Sequence, residues 1–300
     1  MSNNSVIQLQ GWKIWWLAAR PRTWPAAVVP VLVGSSLAAR SGQFQVLPFL
    51  AALLASLLIQ IGTNYANDLF DYLKGADRQR QGPTRVVQSG LVTPRQMRDA
   101  VILMFGSAAI LGIYLILVGG WPIALIGLLS ILAGIGYTGG PYPLAYHGLG
   151  DLFAFLFFGI IAVMGTAYIF IHEFTALSFI ASLPVALLVT AIIIVNNLRD
   201  IPTDAAVGKR TFAVIIGDRN TRREYTLCLL GAYLFPIVLA ALAGSIGWWW
   251  LPFCTLPLAI QLVRTVLKGQ AGPLLNRTLG QTAQLHLWFG IALALSILVS

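Results

Sequence analysis

The run LPFLAALLASLLIQIG, residues 47–62, is followed closely by NDLFDYLKGAD, residues 67–77. The first stretch carries no charged side chain, and it predicts a membrane-spanning helix over residues 47–69, since a span needs about 20 mostly apolar residues. The second stretch places three aspartates where that helix ends. Ionisable side chains are costly inside a membrane and usually mark functional sites there. This junction therefore predicts both the class of fold and the position of a site.

The whole chain has the composition of a membrane protein. Of its 300 residues, 58% are hydrophobic and 10% are charged, and the mean hydropathy is +0.80. Soluble domains carry about 25% charged residues, so a soluble globular protein is excluded. We expect an all-α, polytopic membrane protein with one domain over residues 1–300. It would have about nine transmembrane helices around a central cavity, capped by cytoplasmic loops.

Nine apolar runs have the length and composition expected of spans. They lie at residues 22–40, 47–69, 98–118, 121–138, 150–171, 175–197, 224–243, 245–265 and 281–299. Residues 1–21 precede them as an N-terminal tail and a short helix. Tryptophans interleaved with basic residues in this helix are typical of the lipid headgroup region.

Basic residues are distributed unevenly between the two sides that nine spans define. Eighteen of the nineteen lysines and arginines lie on the side of the N-terminus, and Arg40 lies on the other. Because an excess of lysine and arginine marks the cytoplasmic face, we expect a multi-pass protein of the plasma (cell inner) membrane. The N-terminus and the site loops would be cytoplasmic and the C-terminus external. This asymmetry accounts for the net charge of +9, so the bilayer is the expected partner and nucleic acid is not.

A second aspartate cluster, NNLRDIPTDAAVGKRT at residues 196–211, stands at the end of the sixth predicted span. Asp68 and Asp71 are three residues apart, and Asp200 and Asp204 are four apart, so each pair can share one helix face. Repulsion within each pair would be relieved by a hard cation. Mg²⁺ takes one or two carboxylates and completes its shell with water and phosphate oxygens. The two clusters therefore predict a magnesium site for a phosphorylated substrate.

Basic side chains near both clusters complete a predicted diphosphate site. They are Lys74, Arg78, Arg85, Lys209 and Arg210. The alternative is that these acids are ordinary helix-end residues paired with nearby lysines and arginines. Two clusters at matched positions, each led by asparagine, favour the metal site.

These motifs resemble those of the UbiA superfamily of membrane prenyltransferases. The resemblance rests on Asn-Asp-x-x-Asp after the second span and Asp-x-x-x-Asp after the sixth, and it covers most of the chain. It implies nine helices around a cavity that opens toward the bilayer. It also implies that Asp68 and Asp71 hold one Mg²⁺ and that Asp200 and Asp204 hold another. The donor would be a polyprenyl diphosphate.

Further motifs resemble the branch of that superfamily that prenylates 1,4-dihydroxy-2-naphthoate. They are RPRTWP (20–25), the spacing of Gly75 and Asp77, GPTRVVQSGLVTP (82–94), YTGGPYPLAYHGLGD (137–151) and the segment 196–211. This resemblance implies transfer of a polyprenyl group to the naphthoate with loss of CO₂. The product would be demethylmenaquinol, in menaquinone biosynthesis, and no obligate protein partner is evident.

The resemblance also implies roles for single residues. Asn64 or Asn67 would assist the first ion, and Lys209 and Arg210, with Arg78 or Arg85, would neutralise the departing diphosphate. Asp77 would orient the first loop or approach the acceptor, whose carboxylate Arg22 would position. Tyr137 and Tyr142 would either stabilise an allylic cation through their aromatic faces or belong to an interfacial belt. His147 is either a base or a loop residue with ordinary hydrogen bonds.

Three other functions remain open from the sequence. A sister enzyme of the 4-hydroxybenzoate, haem or chlorophyll (phytyl) type uses similar motifs, although the spacing of Gly75 and Asp77 argues against it. A cation transporter also uses membrane carboxylates, but it would place them near mid-bilayer, whereas these acids end their helices. A lipid-binding scaffold without catalysis would need no matched metal ligands.

An odd number of spans predicts that the termini lie on opposite sides of the membrane. A topology reporter fused to the N-terminus should read cytoplasmic, and one fused after Ser300 should read external. A reporter inserted in the loop near residue 209 is the control, because it should agree with the N-terminal fusion. Both termini on one side would contradict the count of nine.

Overall fold

The computed structural model describes residues 11–76, 82–244 and 246–300. Within these ranges the elements are α-, 3₁₀- and π-helices, with no β-strand and one isolated bridge between His147 and Arg210. The expected all-α fold is confirmed. Asp77 and Arg78, two of the predicted site residues, lie outside the described residues.

Eleven α-helices lie in the described residues. They are α1 (Trp12–Ala19), α2 (Pro25–Arg40), α3 (Val46–Leu73), α4 (Pro94–Gly119), α5 (Trp121–Gly136), α6 (Gly150–Ala154), α7 (Ala162–Ile171), α8 (Ala176–Ala206), α9 (Phe212–Ala243), α10 (Leu256–Leu267) and α11 (Leu275–Val299). A π-helical segment, Phe155–Ile161, joins α6 to α7 in one continuous rod. The 3₁₀ turns are Pro21–Thr23, Leu144–Tyr146, Leu251–Thr255 and Gly272–Leu274.

The helices account for all nine apolar runs of the sequence. Among the described residues, six helical units are long and apolar enough to cross a membrane: α3, α4, the α6–α7 rod, α8, α9, and α11 with its preceding turn. Three shorter apolar helices, Pro25–Arg40, Trp121–Gly136 and Leu251–Leu267, match the other runs. The protein is therefore an integral membrane protein. The count of nine spans stays a prediction, because the shorter helices have fewer than the about 20 residues of a full span.

Two helices continue beyond their apolar runs, and this extension positions the site. Hydropathy ends the second and sixth spans at residues 69 and 197, whereas α3 continues to Leu73 and α8 to Ala206. Both aspartate pairs consequently lie in final helical turns. The helices persist there because hydrogen bonds and ion pairs, described below, replace apolar contacts.

Separate apolar clusters anchor the two aspartate-bearing helices. The most extensive helix contacts join α8 to α9, α3 to α4, and α11 to α2. One cluster, with Val29, Leu188 and Phe289, packs α8 among α2, α7, α9 and α11. A second, with Tyr65 and Met97, packs α3 against α1 and α4. Each aspartate pair is thus held by its own rigid group of helices.

The π-helical segment approaches α8 closely at Gly159. A Cβ atom at this position would lie 2.2 Å from the Cβ of Ala186, which no packing of two carbon atoms allows. Glycine therefore sets how closely the α6–α7 rod lies against α8.

Replacing Gly159 by alanine should destabilise the fold, since the added methyl group must push α8 away. Overpacking of this kind lowers the free energy of unfolding by about 1–3 kcal/mol, which thermal unfolding in detergent would measure. Gly106→Ala is the matched control, because a Cβ at this exposed position of α4 meets no atom within 4 Å. It should be neutral or stabilising by about 0.5–1 kcal/mol. Equal melting temperatures for the two variants would contradict the close approach.

Candidate active site

The first aspartate pair is buried in the last turns of α3. Asp68 and Asp71 are 1% and 2% exposed. The backbone N–H groups of residues 86–87 donate to Asp68 over 3.1 and 3.3 Å. Asp71 accepts hydrogen bonds from the Arg85 guanidinium and the Tyr146 hydroxyl, each over 2.9 Å. The segment after α3 therefore folds back to satisfy both carboxylates.

The second pair lies in the last turns of α8 and is neutralised by cations near it in the chain. Arg199 donates two hydrogen bonds to Asp200, over 2.7 and 2.6 Å, and is itself 1% exposed. Asp204 lies 3.5 Å from the Lys209 ammonium. The local pairing with arginine and lysine considered from the sequence is thus present, together with burial that ordinary helix-end acids do not show.

Tyr146, which lies in the motif 137–151 but was assigned no role from the sequence, links the two clusters. Its hydroxyl donates to Asp71, and the ammonium groups of Lys74 and Lys209 lie 4.7 and 5.4 Å from the centroid of its ring. The backbone N–H of Arg210 donates to its carbonyl oxygen over 3.2 Å. One basic residue from each cluster is therefore gathered on one aromatic side chain, where cation–π attraction holds it.

Lys74 and Asn67 are tied to the same loop through Thr138. The Lys74 ammonium donates to the Thr138 carbonyl over 2.7 Å, and the Thr138 hydroxyl donates to Asn67 over 2.8 Å. Desolvation lowers the pKa of Lys74; the Asp71 carboxylate opposes this change and the charge of Lys209 adds to it. Two ammonium groups so close together repel each other, so a polyanion bound between them would be favoured.

An apolar cavity of about 360 Å³ opens inside the bundle. Its walls come from α2 to α5 and from the α6–α7 rod, with side chains such as Ile59, Phe157 and Ile169, and Tyr137 is among the lining residues. Since Tyr137 directly follows α5, it lies at the end of the cavity where α3 and α8 carry their aspartates.

The Tyr137 hydroxyl sits where the cavity meets both aspartate clusters. A Cβ atom at Gly150 would lie 2.9 Å from this oxygen, so the glycine makes room for it. Burial raises the pKa of Tyr137, and the carboxylates of Asp151, Asp71 and Asp204 raise it further. The tyrosine is therefore protonated at neutral pH, and its environment includes one aspartate from each pair.

Asp151 and Arg199 are site residues that sequence reasoning missed. Asp151 was given no role of its own, yet it is 6% exposed and accepts a hydrogen bond from Asn197 over 3.0 Å. Arg199 lies inside the second motif but was not assigned a role. A signal for both existed, because Asp151 closes the motif 137–151 at the start of a span and Arg199 directly precedes Asp200.

Three predicted residues form no hydrogen bond or ion pair with the aspartates among the described residues. Tyr142 is 58% exposed and stacks on His147, with ring centroids 3.7 Å apart. His147 Nδ1 lies 2.9 Å from the carbonyl oxygen of Pro143, an ordinary loop hydrogen bond. Arg22 is exposed, with its side chain near Gly280 at the start of α11.

Asn64 is buried, but its amide N–H groups serve the N-terminal segment. They donate to the Ala19 carbonyl over 3.0 Å and to the Thr23 hydroxyl over 3.1 Å. Gln60 donates to the same hydroxyl over 2.9 Å. The segment RPRTWP is therefore fastened to α3 one turn before Asp68.

The donor chemistry of this site fits Mg²⁺, which prefers oxygen ligands. Each helix offers a pair of buried carboxylates that needs compensating positive charge. In the parts of the chain that the structure describes, no three His, Cys, Asp or Glu side chains converge as a complete metal site. Water and phosphate oxygens would therefore have to complete the shell of a bound ion.

Comparison with known sequences gives near-full-length matches. A sequence profile described as the UbiA prenyltransferase family matches residues 27–273. The 1,4-dihydroxy-2-naphthoate octaprenyltransferase of Escherichia coli (strain K12) is 34% identical over 300 residues, covering 96% of this chain and 97% of the relative. The enzyme of the same name from Mycobacterium tuberculosis is 36% identical over 283 residues, covering 93% and 95%.

Solved structures share the fold at low sequence identity. A UbiA homolog from Archaeoglobus fulgidus bound to GPP and Mg²⁺ has a TM-score of 0.63 at 15% identity, covering 94% of this chain and 99% of that one. A digeranylgeranylglyceryl phosphate synthase has a TM-score of 0.60 at 14% identity, covering 96% and 98%. The sequence profile, the relatives and the shared fold agree, and the chain belongs to the UbiA prenyltransferase family.

Proposed function

We propose that this protein transfers a polyprenyl group from polyprenyl diphosphate to 1,4-dihydroxy-2-naphthoate, with loss of CO₂, and so forms demethylmenaquinol for menaquinone biosynthesis. The observation that carries the proposal is an apolar cavity that ends, at Tyr137, beside two buried aspartate pairs. This arrangement suits a substrate with a long apolar tail and a diphosphate head. The naphthoate is assigned from the relatives named for that acceptor.

The aspartates and the basic residues around Tyr146 form the diphosphate end of the site. Asp68 with Asp71, and Asp200 with Asp204, would each hold one Mg²⁺, which would neutralise the charge that grows on the diphosphate as its C–O bond breaks. The ammonium groups of Lys74 and Lys209 both lie within 5.4 Å of the Tyr146 ring centroid. The Arg85 guanidinium enters the same region through Asp71, whereas Arg210 reaches Tyr146 through its backbone N–H and its residue is exposed.

The cavity serves the reactive part of the donor in two ways. Its apolar walls bind the isoprenoid chain, and they exclude water, which would otherwise capture the allylic cation. Tyr137 presents an aromatic ring and a neutral hydroxyl at the cavity end, where its face can stabilise a desolvated cation. The naphthoate ring, made electron-rich by two hydroxyl groups, then attacks the allylic carbon.

A second pocket, lined by arginine and amide side chains, supports the role assigned to Arg22. It has a volume of about 620 Å³ and lies between the segment 21–25 and the start of α11. Arg22 and Arg277 both line it, together with Gln281. Two guanidinium groups suit a carboxylate, so we assign acceptor entry to this side. The chain would act as one domain with the site loops cytoplasmic.

Replacing any of the four aspartates by asparagine should remove most activity. Asparagine keeps the shape of the side chain and one acceptor for Arg85 or Arg199, but it removes the charge that binds Mg²⁺. We expect turnover to fall by about 100-fold or more, the typical effect of losing one electrostatic stabiliser of the transition state. The measurement is transfer of a labelled allylic diphosphate in membranes supplied with Mg²⁺.

Asp99→Asn is the matched control for this series. Asp99 is exposed, and among the described residues its ion pair is with the exposed Arg98. The turnover of this variant should therefore equal that of the wild-type protein. Thermal unfolding of every variant would separate lost metal binding from lost folding. Near-normal activity in any two of the four site variants would rule out the two-pair site.

The acceptor assignment predicts a strong preference for 1,4-dihydroxy-2-naphthoate over 4-hydroxybenzoate. With 1,4-dihydroxy-2-naphthoate the protein should release one CO₂ for each prenyl group transferred, because the ring carbon that bears the carboxylate is the one substituted. With 4-hydroxybenzoate little product should form. Labelled carboxyl carbon and chromatography of the quinol products would measure both. Comparable transfer to 4-hydroxybenzoate, or a naphthoate product that keeps its carboxylate, would overturn the assignment.

A further inference from the structure

Asp151 is a buried carboxylate that differs from the four aspartates of the two pairs. It lies in the first turn of α6, two residues before Phe153, which lines the apolar cavity. Its Oδ1 atom accepts a hydrogen bond from the Asn197 amide over 3.0 Å. Its Oδ2 atom is buried and has no hydrogen-bond partner among the described residues.

The groups around Asp151 do not neutralise it. Tyr137, Asn197 of α8, and Glu224 and Cys228 of α9 are the titratable or polar neighbours. Glu224 also has a buried oxygen that finds no hydrogen-bond partner in the described part of the chain. In the described chain no lysine or arginine forms an ion pair with Asp151, whereas Asp71, Asp200 and Asp204 each have one.

A buried carboxylate with one open oxygen and no cation is unfavourable as a purely structural element. An asparagine could accept the same hydrogen bond from Asn197 without a buried charge. What the carboxylate adds is the ability to take up a proton. Tyr137 lies near both Asp151 and the cavity: the tyrosine lines the cavity, and a Cβ atom at Gly150, the residue before Asp151, would lie 2.9 Å from its hydroxyl.

We propose that Asp151 is the proton acceptor of the prenyl transfer and takes the proton of an acceptor hydroxyl through Tyr137. The inference rests on the proposed function. The hydroxyl next to the carboxyl-bearing ring carbon gives its proton to the Tyr137 oxygen as the tyrosine gives its own proton to Asp151. The electron pair left on the acceptor oxygen moves into the ring, and the carboxyl-bearing carbon bonds to the allylic carbon as diphosphate leaves.

The proton then returns to the acceptor oxygen as the intermediate loses CO₂. This intermediate is a ketone with a carboxylate on the neighbouring carbon, and it loses CO₂ as the C–C electron pair returns through the ring to the oxygen. That oxygen recovers the proton from Asp151 through Tyr137. Asp151 ends as it began, and the products are the prenylated quinol, CO₂ and diphosphate.

The test compares Asp151→Asn with the wild-type protein in lipid nanodiscs. Affinity for a non-hydrolysable allylic thiodiphosphate with Mg²⁺ should change less than about threefold, since Asp151 is not assigned to the diphosphate. Turnover of the naphthoate at pH 7 should fall by about 100-fold or more, in the range of general acid–base catalysis. Asp151→Glu should recover part of the loss, and Tyr137→Phe should show a similar loss.

Alkaline rescue separates a proton-accepting role from a structural one. Phenolic hydroxyls such as that of the acceptor ionise near pH 10, so at higher pH more of the acceptor loses this proton without Asp151. The activity of Asp151→Asn relative to wild type should therefore rise steadily between pH 7 and pH 9.5. Asp99→Asn should keep a constant ratio of one. The proposal would be overturned if Asp151→Asn turned over within threefold of wild type at pH 7. It would also be overturned if the loss of activity in either Asp151→Asn or Tyr137→Phe did not recover at high pH. Wild-type protein that fails to convert the naphthoate would instead overturn the proposed function, and this inference with it.

Discussion

The structure depends on placing four carboxylates at the ends of two membrane helices, where two effects oppose them. Burial disfavours charge, and the C-terminal end of a helix carries a partial negative charge that repels an anion. Asp68 and Asp71 meet both conditions at the end of α3, as do Asp200 and Asp204 at the end of α8. The segments that follow these helices are shaped by the need to offset this repulsion.

Compensation takes a different form in each half of the molecule. After α3, the chain turns back so that backbone N–H groups reach Asp68 and Arg85 reaches Asp71. In α8, the compensating Arg199 is the neighbour of Asp200 and is kept in place by Asn196 and Asn276. The loop 137–150 then joins the halves, because Tyr146 contacts Asp71 while bearing one lysine from each side. The geometry of the site is therefore set by charge balance as much as by helix packing.

Much of the fold and of the aspartate site was predictable from the sequence. The features that were not predicted were missed for one common reason. Apolar run length predicted an all-α membrane protein, and the spacing within NDLFD and DIPTD predicted two carboxylate pairs on helix faces, because both signals are local. Tyr146, Asp151 and the role of Asn64 were not predicted. Each depends on a partner between 41 and 75 residues away in the chain, and no periodicity carries that information. Helix ends were misplaced for a related reason, since hydropathy does not register an ion pair that replaces an apolar contact.

The arginines paired with Asp71 and Asp200 constrain how a metal ion can bind these carboxylates. Arg85 is 6% exposed and Arg199 1% exposed, so neither cation can leave for water at low cost while its carboxylate remains. A divalent ion that approaches Asp71 or Asp200 must share the carboxylate with the arginine, or the arginine must find another anion. A diphosphate is such an anion, because its oxygens can accept from guanidinium and bind Mg²⁺ together. Metal and donor are then expected to bind together rather than independently.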